Sequence, residues 1–500
     1  MDSPLPVDKA PPAGTGTRPR RGLFTPAALV AAGVLALAAA SIVEERWLGN
    51  EPWHAGMVIL DDGASPPPPD ALAVRARLVT RDAPAPGDAL LKAAQKAAGN
   101  QFGPHFRLDT PEVAIAVAMP PGDAAPLLAS GRLPKPGARE ALAGDLARDE
   151  PFTLGGEPFE VVGRLRTNVG GFVFSYLLVD HPGLDTAFPD DGRTVTGWAH
   201  PQGAARLGEM EWGDNGEEEW AEGWETAADM EGENGETLEE EEPLSIPEWQ
   251  GGQTRTLPLV LWTALLGVIL TAAGGAMLHT RLCLRWAEDL APDNFFAPLF
   301  REVALRPRLW RGMHLALYGV MFYAMMAAIS QPLFNHRMLA FVSAMFTEGG
   351  LDHVGEAYAS GSILQAAWAT WKNNYLTQTV LWTFLLSVFP VALGVLKTAA
   401  SFLLAGVAMA PLWTGTASMY VFHVITMVLE FEAYIMASFV VVAWAIRIFQ
   451  AGRKPGPVGK MEFHWAVRIF GGAILATGIL LAVAAFYEAA TLVTLTAALQ

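Results

Sequence analysis

His423, Glu430 and Glu432 stand inside a long apolar stretch of this chain. From Asn373 to Phe449 the sequence is apolar enough and long enough to cross a bilayer about three times, at roughly 20 residues a crossing. An ionisable group at membrane depth costs on the order of 3 kcal/mol on insertion scales unless it faces protein or water. Each of the three therefore needs a partner. His423 and Glu430 are about two helical turns apart and share a face, whereas Glu432 falls about 200° round the helix from Glu430 and must look elsewhere. Asn373, Asn374 and Thr426 are the candidate partners for Glu430, and such a bond would support helix association by roughly 1 kcal/mol. The alternative is a carboxylate that lines a polar path or couples protonation to movement. A metal held by His423 and Glu430 would need a third element, because the two are about 10 Å apart along a helix axis.

The elements that must hold these residues follow from composition. With 500 residues, 51% of them hydrophobic, 17% charged and a mean hydropathy of +0.26, the chain is too apolar for an ordinary soluble protein and too long for one domain. The formal charge of −17 is local: Glu209 to Glu248 holds 17 carboxylates and no Lys or Arg, so the remainder is close to neutral. A single cysteine, Cys283, excludes an internal disulfide and a cysteine-rich metal site. Ala, Gly and Pro richness with few Lys points to a bacterial source. The fold class expected is a polytopic α-helical membrane protein of about seven spans with an inserted extracytoplasmic α+β domain.

In chain order, residues 1–22 form a basic tail, and 23–43 an anchor whose flank (Arg18, Arg20, Arg21) places the N-terminus in the cytoplasm. A cleaved signal peptide is the competing reading of the anchor. Residues 44–200 read as the exported α+β domain. Its strands are expected at Met57 to Leu60, Val74 to Thr80, Val113 to Met119, Phe159 to Leu165 and Phe172 to Val179, and its helices at Ala89 to Ala98 and Arg139 to Arg148. Residues 201–256 read as an acidic disordered tether that cannot bury enough apolar area to fold. The helical membrane domain takes up 257–500, with spans expected at Leu257 to Leu278, around His314 to Ile329, at Thr377 to Leu396, across or into the bilayer at Ala399 to Trp413, at Ser418 to Ile448 (tilted, or broken near His423), and at Val467 to Ala489. Trp286 to Leu305 and Ile363 to Trp371 read as interfacial segments. Arg281, Arg285, Arg301, Arg306, Arg308 and Arg311, then Arg447, Arg453, Lys454 and Lys460, mark cytoplasmic ends of spans.

Two stretches carry a resemblance. Gly131-Arg132, Pro134, Gly137 and Glu140, followed by Gly155-Gly156, Phe159 and Val161-Val162-Gly163, resemble the periplasmic domain of MacB-like and FtsX-like ABC permeases, which sits between the first and second spans. Asn373-Asn374, Ala405-Gly406-Val407 and Val428-Leu429-Glu430 with Ala433 resemble the stage II sporulation protein M family, from about residue 340 onward. The family's His lies about four residues before the Glu, where this chain has Thr426.

These resemblances imply a membrane subunit of a transport-type or mechanotransmission complex in the bacterial cytoplasmic membrane. The chain has no phosphate-binding GxxxxGK[ST] segment, so a separate ATPase subunit would drive it. The alternative is a non-transporting scaffold for envelope-remodelling proteins. The partners expected are the bilayer, that ATPase and envelope proteins, not nucleic acid. Nothing reads as an active site: His54, His105 and His181 are isolated, no nucleophile or metal spacing occurs, and no cofactor or metal is expected.

Overall fold

Gly22 and Phe24–Leu48 open the computed structural model, which describes residues 22–48, 53, 56–60, 71–79, 114–119, 121–179 (apart from 137, 148, 155, 168, 173 and 174), 194–201, 249–251 and 254–499 (apart from 348, 349 and 389). The expected helix at Ala89 to Ala98, the basic tail before Gly22 and most of the acidic tether lie outside the described residues. Phe24–Leu48 forms one helix, α1. It runs past Val43 because Glu44 is buried and has partners: Thr256 donates its hydroxyl to it, and the backbone N–H of Gly415 donates at 3.0 Å.

The sheet contains β1 (Met57–Leu60), β2 (Leu72–Val79), β3 (Ala114–Met119), β4 (Leu128–Gly131), β5 (Glu140–Ala143), β6 (Phe152–Leu154), β7 (Glu157–Leu165), β8 (Ser175–Val179), β9 (Thr194–His200) and β10 (Trp249–Gly251). Its order is β10-β1-β9-β2-β3-β8-β5-β7-β4, with β6 on β7. The sheet is mixed: β3 runs parallel to β8 and β5 parallel to β7, and the other pairs are antiparallel. The β6–β7 hairpin turns at Gly156, whose φ of +82° suits glycine, and Phe152 stacks on Phe159 across it.

The helix expected at Arg139 to Arg148 is instead β5 and the turns after it. Glu-Ala-Leu-Ala has high helix propensity, but here it is an inner strand between β7 and β8 whose Ala141, Leu142 and Ala143 are fully buried. Two neighbouring strands outweigh a propensity worth tenths of a kcal/mol per residue. The preceding turn is fixed by charge. Arg132 grips Glu140 with two guanidinium bonds (2.5 and 2.7 Å), and the Lys135 N–H donates to the same carboxylate at 2.9 Å. Gly131, at φ +81°, sits so close to β7 that a Cβ there would meet the Val162 carbonyl at 2.4 Å. The motif that resembled the permease domain is therefore a tight turn clamped by an ion pair.

Arg132 holds the Glu140 carboxyl down to about 2. A depressed carboxylate adds stability above the unfolded value of about 4.3, and that stability is lost as pH falls through the folded value. The wild type is therefore expected to lose sheet stability between about pH 4 and pH 2. Glu140→Gln should be weaker at neutral pH and flatter in that window, as read by thermal unfolding of the full chain followed in the strand circular-dichroism signal. Equal acid slopes for the two proteins would contradict this account.

Among the described residues, five helices are long and apolar enough to cross a membrane: α1; α2 (Pro258–Asp289); α4 (Pro307–Ser330); α9 (Thr416–Arg453); and α10 (Gly456–Leu499). Between them lie α3 (Ala297–Leu305), α5 (Pro332–Thr347), α6 (Asp352–Ala359), α7 (Ile363–Trp371), a π-helix (Lys372–Leu385) and α8 (Ala392–Ala408). This is the character of a multi-pass membrane protein. The stretch expected as a span at Thr377 to Leu396 is not one helix: the π-helix ends in a 3₁₀ turn at Leu386–Val388, and α8 starts anew after Pro390. Proline removes a backbone donor and clashes with the preceding turn, which explains the break. By contrast, α9 is unbroken past His423 and is the most enclosed of the five, with 78% of its apolar window buried.

Small residues set the helix spacing. A Cβ on Gly33 of α1 would meet Thr271 Oγ1 at 2.1 Å and the Gly267 carbonyl at 2.6 Å, so α1 and α2 touch backbone to backbone. Gly406 of α8 lies likewise against the Met321 carbonyl of α4, at 2.2 Å from a Cβ built there.

Among the described residues, sheet and helices meet around Thr254–Thr256. Thr254–Thr256 runs between them: its Arg255 N–H bonds the Thr167 carbonyl, its Thr256 N–H bonds the Leu412 carbonyl at 2.9 Å, and the Thr414 N–H bonds the Thr254 carbonyl at 2.9 Å. Arg255 bridges to Trp413 in backbone pairing and binds Asp145 through two guanidinium nitrogens. Leu146, Leu412 and Trp413 close an apolar cluster beneath it.

Candidate functional site

α9 projects its two carboxylates in different directions. Glu430 accepts a bond from Asn374 Nδ2 at 2.6 Å, and Asn374 is oriented in turn by Asn373 at 3.0 Å. Both asparagines belong to the first turn of the π-helix, whose wide turns are visible in the Thr379 and Thr383 hydroxyls, each bonded to the carbonyl five residues back. π-Turns are rare and concentrate at functional sites. His423, on the same side of α9, faces Glu488 of α10, Nδ1 to Oε1 3.7 Å, and Glu488 lies within electrostatic range of Glu430. Thr426, the third candidate partner, is buried with its hydroxyl unbonded. One polar pocket thus collects Asn374, His423, Glu430 and Glu488 from three elements.

Glu430→Gln should leave assembly and unfolding temperature close to wild type, because the amide still accepts from Asn374. Glu430→Leu should assemble poorly, since it strands Asn374 in an apolar setting. The measurement is monodispersity and thermal unfolding in detergent. A Gln variant that assembles fully yet loses activity in cells would make Glu430 a working residue rather than a structural one.

Glu432 turns to the other side and enters a second, buried polar cluster. Its Oε2 is 2.6 Å from His279 Nδ1 on α2 and 2.9 Å from His314 Nε2 on α4, and Tyr318 donates its hydroxyl to Oε1 at 3.0 Å. The three side chains His279, His314 and Glu432 each offer a ligand atom, all within 4.8 Å of one another. Trp310, 1% exposed, props the cluster: its ring packs edge-on to both histidines, and its Nε1 donates to Thr280 at 2.8 Å. The His314 ring is fixed from behind, since Nδ1 bonds the Trp310 carbonyl at 2.9 Å. Cys283, one turn beyond His279 on the same helix, is buried. A cavity of about 430 Å³ opens beside the cluster, with His279, Glu432 and Asn294 among its lining and Leu282, Trp286, Val428, Met436, Leu480 and Val483 among its apolar walls.

Of the residues singled out from sequence, Asn374, His423 and Glu430 share one pocket and Glu432 occupies another. His279, His314, Tyr318 and Glu488 were missed. They lie on three helices, with His314 and Tyr318 together on α4 but 35 or more residues from His279 and from Glu432, so no local spacing motif could carry the whole cluster. The available signal was the one used for Glu432: a histidine inside an apolar span needs a partner.

Comparison with family models, with curated proteins and with solved structures returns no match for this chain. Its function rests on its own geometry.

Proposed function

We propose that this chain is an integral membrane subunit of a transport-type or mechanotransmission complex, in which an exported sheet domain pulls on, or is pulled by, the helix that carries the membrane carboxylates. The observation that carries the reading is the Arg255 junction. Arg255 is bonded at once to Asp145 of the sheet region and, through its backbone, to Trp413, just ahead of α9. Displacement of the sheet is thereby transmitted to the start of the helix bearing His423, Glu430 and Glu432.

The arrangement proposed is N-terminus in the cytoplasm, residues 44–256 outside and inserted between the first two spans, and about seven membrane segments if the π-helix and α8 enter the bilayer. Its support is the contact pattern of the helix ends. Arg281 bonds Gly22 at one end of the α1–α2 pair, and Glu44 bonds Thr256 at the other. The basic residues Arg306, Arg447 and Lys454 gather around Glu302 and Glu462. Short basic segments mark the cytoplasmic side. A bacterial cytoplasmic membrane and an ABC-type ATPase partner follow from the permease and sporulation-protein resemblances.

The test is affinity purification of the full chain from membranes solubilised in mild detergent, followed by mass spectrometry. An ATPase subunit in stoichiometric yield is expected. Recovery of a cell-wall hydrolase without an ATPase would replace this reading with the scaffold alternative, and recovery of neither would retire the transport reading.

A further inference from the structure

The proton inventory around Glu432 does not close with a carboxylate and two neutral imidazoles. The Trp310 carbonyl can only accept, so His314 Nδ1 carries a hydrogen and directs it backward. In a neutral ring the remaining nitrogen, Nε2, then has only a lone pair, and it faces a carboxylate oxygen at 2.9 Å. Two lone pairs at that distance repel. His279, on α2, aims a ring nitrogen at the same oxygen from 2.6 Å. Something positive belongs among the three atoms, and the choice is an extra proton, on an imidazole or on the carboxyl, or a metal ion.

Several features favour the metal. A ligating histidine characteristically donates its other ring N–H to a backbone carbonyl, which fixes the tautomer and the ring plane, and His314 does so to Trp310. Two histidines and one carboxylate are the donor set of catalytic zinc sites, which keep a fourth position open. The donors come from three helices that are otherwise tightly packed, so their convergence within 4.8 Å is built by the fold and not by local sequence. On the open side lies the apolar cavity, which His279 and Glu432 both line. Tetrahedral bonds of about 2.0–2.2 Å hold ligand atoms roughly 3.3–3.6 Å apart, so Glu432 Oε2 would draw back by about 0.5 Å from His314 Nε2 and by nearly 1 Å from His279 Nδ1 when the ion enters.

We propose that His279, His314 and Glu432 bind one divalent transition-metal cation of the zinc class in the membrane core, with its open coordination position facing the cavity. The cavity's apolar walls then select a lipophilic ligand, presenting one oxygen, nitrogen or sulfur donor to the ion. Tyr318, bonded to the other oxygen of Glu432, orients the carboxylate and is a positioning residue.

The experiment uses the full chain in detergent, purified without chelator, and then stripped and reloaded with Zn²⁺. Elemental analysis is expected to find about one ion per chain in the wild type and less than a tenth of that in Glu432→Gln and His314→Gln. His423→Gln and Glu488→Gln, which alter the other pocket, should retain the wild-type content. Each variant is scored only as monodisperse protein. If the Glu432 and His314 variants fail to assemble, cobalt substitution of the wild type decides: a visible ligand-field spectrum of four-coordinate type, with histidine nitrogens seen in pulsed electron paramagnetic resonance, is expected. Wild-type protein that is monodisperse yet neither carries nor takes up Zn²⁺ or Co²⁺ overturns the proposal and leaves an imidazolium–carboxylate pair in its place. Equal metal content in wild type and a folded Glu432→Gln overturns it as well.

Discussion

Replacing Glu302 by leucine is expected to destabilise the chain by about 3–5 kcal/mol, the range for removing one member of a buried ion-pair network. Glu302 is fully buried in α3, yet its carboxylate receives Arg447 Nη2 at 2.7 Å, Trp465 Nε1 at 3.2 Å and a bond from Arg306 one turn on. Arg447 is the member left exposed to loss. Its side chain is 16% exposed, and with Glu302 gone it retains Glu462 alone, at 2.6 Å. Because Glu302, Arg447 and Trp465 belong to α3, α9 and α10, the loss should open the packing of all three. Thermal unfolding in detergent is the measurement, with Glu302→Gln as companion. The amide preserves shape but cannot accept charge-assisted bonds at both ends, so it should fall between wild type and leucine. A leucine variant as stable as wild type would mean that apolar packing replaces the network at no loss.

Separating the sheet from the helices should take one substitution. Arg255→Leu is expected to leave the membrane helices assembled while making 254–256 rapidly cleavable by protease and lowering overall stability by about 3 kcal/mol. Asp145, with only 3% of its side chain exposed, would lose the bidentate partner that satisfies both its oxygens. Asp145→Leu should do comparable damage by stranding Arg255. The double replacement should recover part of the loss, since neither charge is then left alone, and the recovery measures the coupling directly. Additive effects of the two single changes would show that the pair does not act as a unit, and would remove the main support for force transfer through this junction.

What could be read from the residues alone was need, more than geometry. A carboxylate in an apolar run must find a donor, and that rule led from Glu430 to Asn374 and required Glu432 to face away. Helical periodicity supplied the divergence of the two side chains. It could not supply His279, His314 or Glu488, because those residues meet α9 only through the way α2, α4 and α10 pack on it. The hairpin at Gly155-Gly156 was legible because a turn's chemistry is local. The strand at Glu140–Ala143 was not, because its identity depends on two partners distant in sequence, and local propensity pointed to helix. The broken span before α8 was half legible: Pro390 was visible, but the π-turns ahead of it have no sequence signature.

The ligands of Glu44 have a bearing on how this protein is made. The carboxylate closes on Thr256 and on the Gly415 N–H, which lies 371 positions later in the chain. At 5–20 residues per second, the ribosome delivers Gly415 roughly 20–70 s after α1 has emerged. Thr256 and α2 come sooner: Thr256 stands 212 positions after Glu44 and so follows roughly 10–40 s later at that rate. Until then α1 has no neighbour for Gly33 and Leu37 and Glu44 has neither partner, so lipid must cover the helix and interfacial water must hold its charged end. Insertion of the first helix is therefore an early and separate event, its docking on α2 follows when about half of the chain has been synthesised, and the Glu44 site closes only when Gly415 arrives.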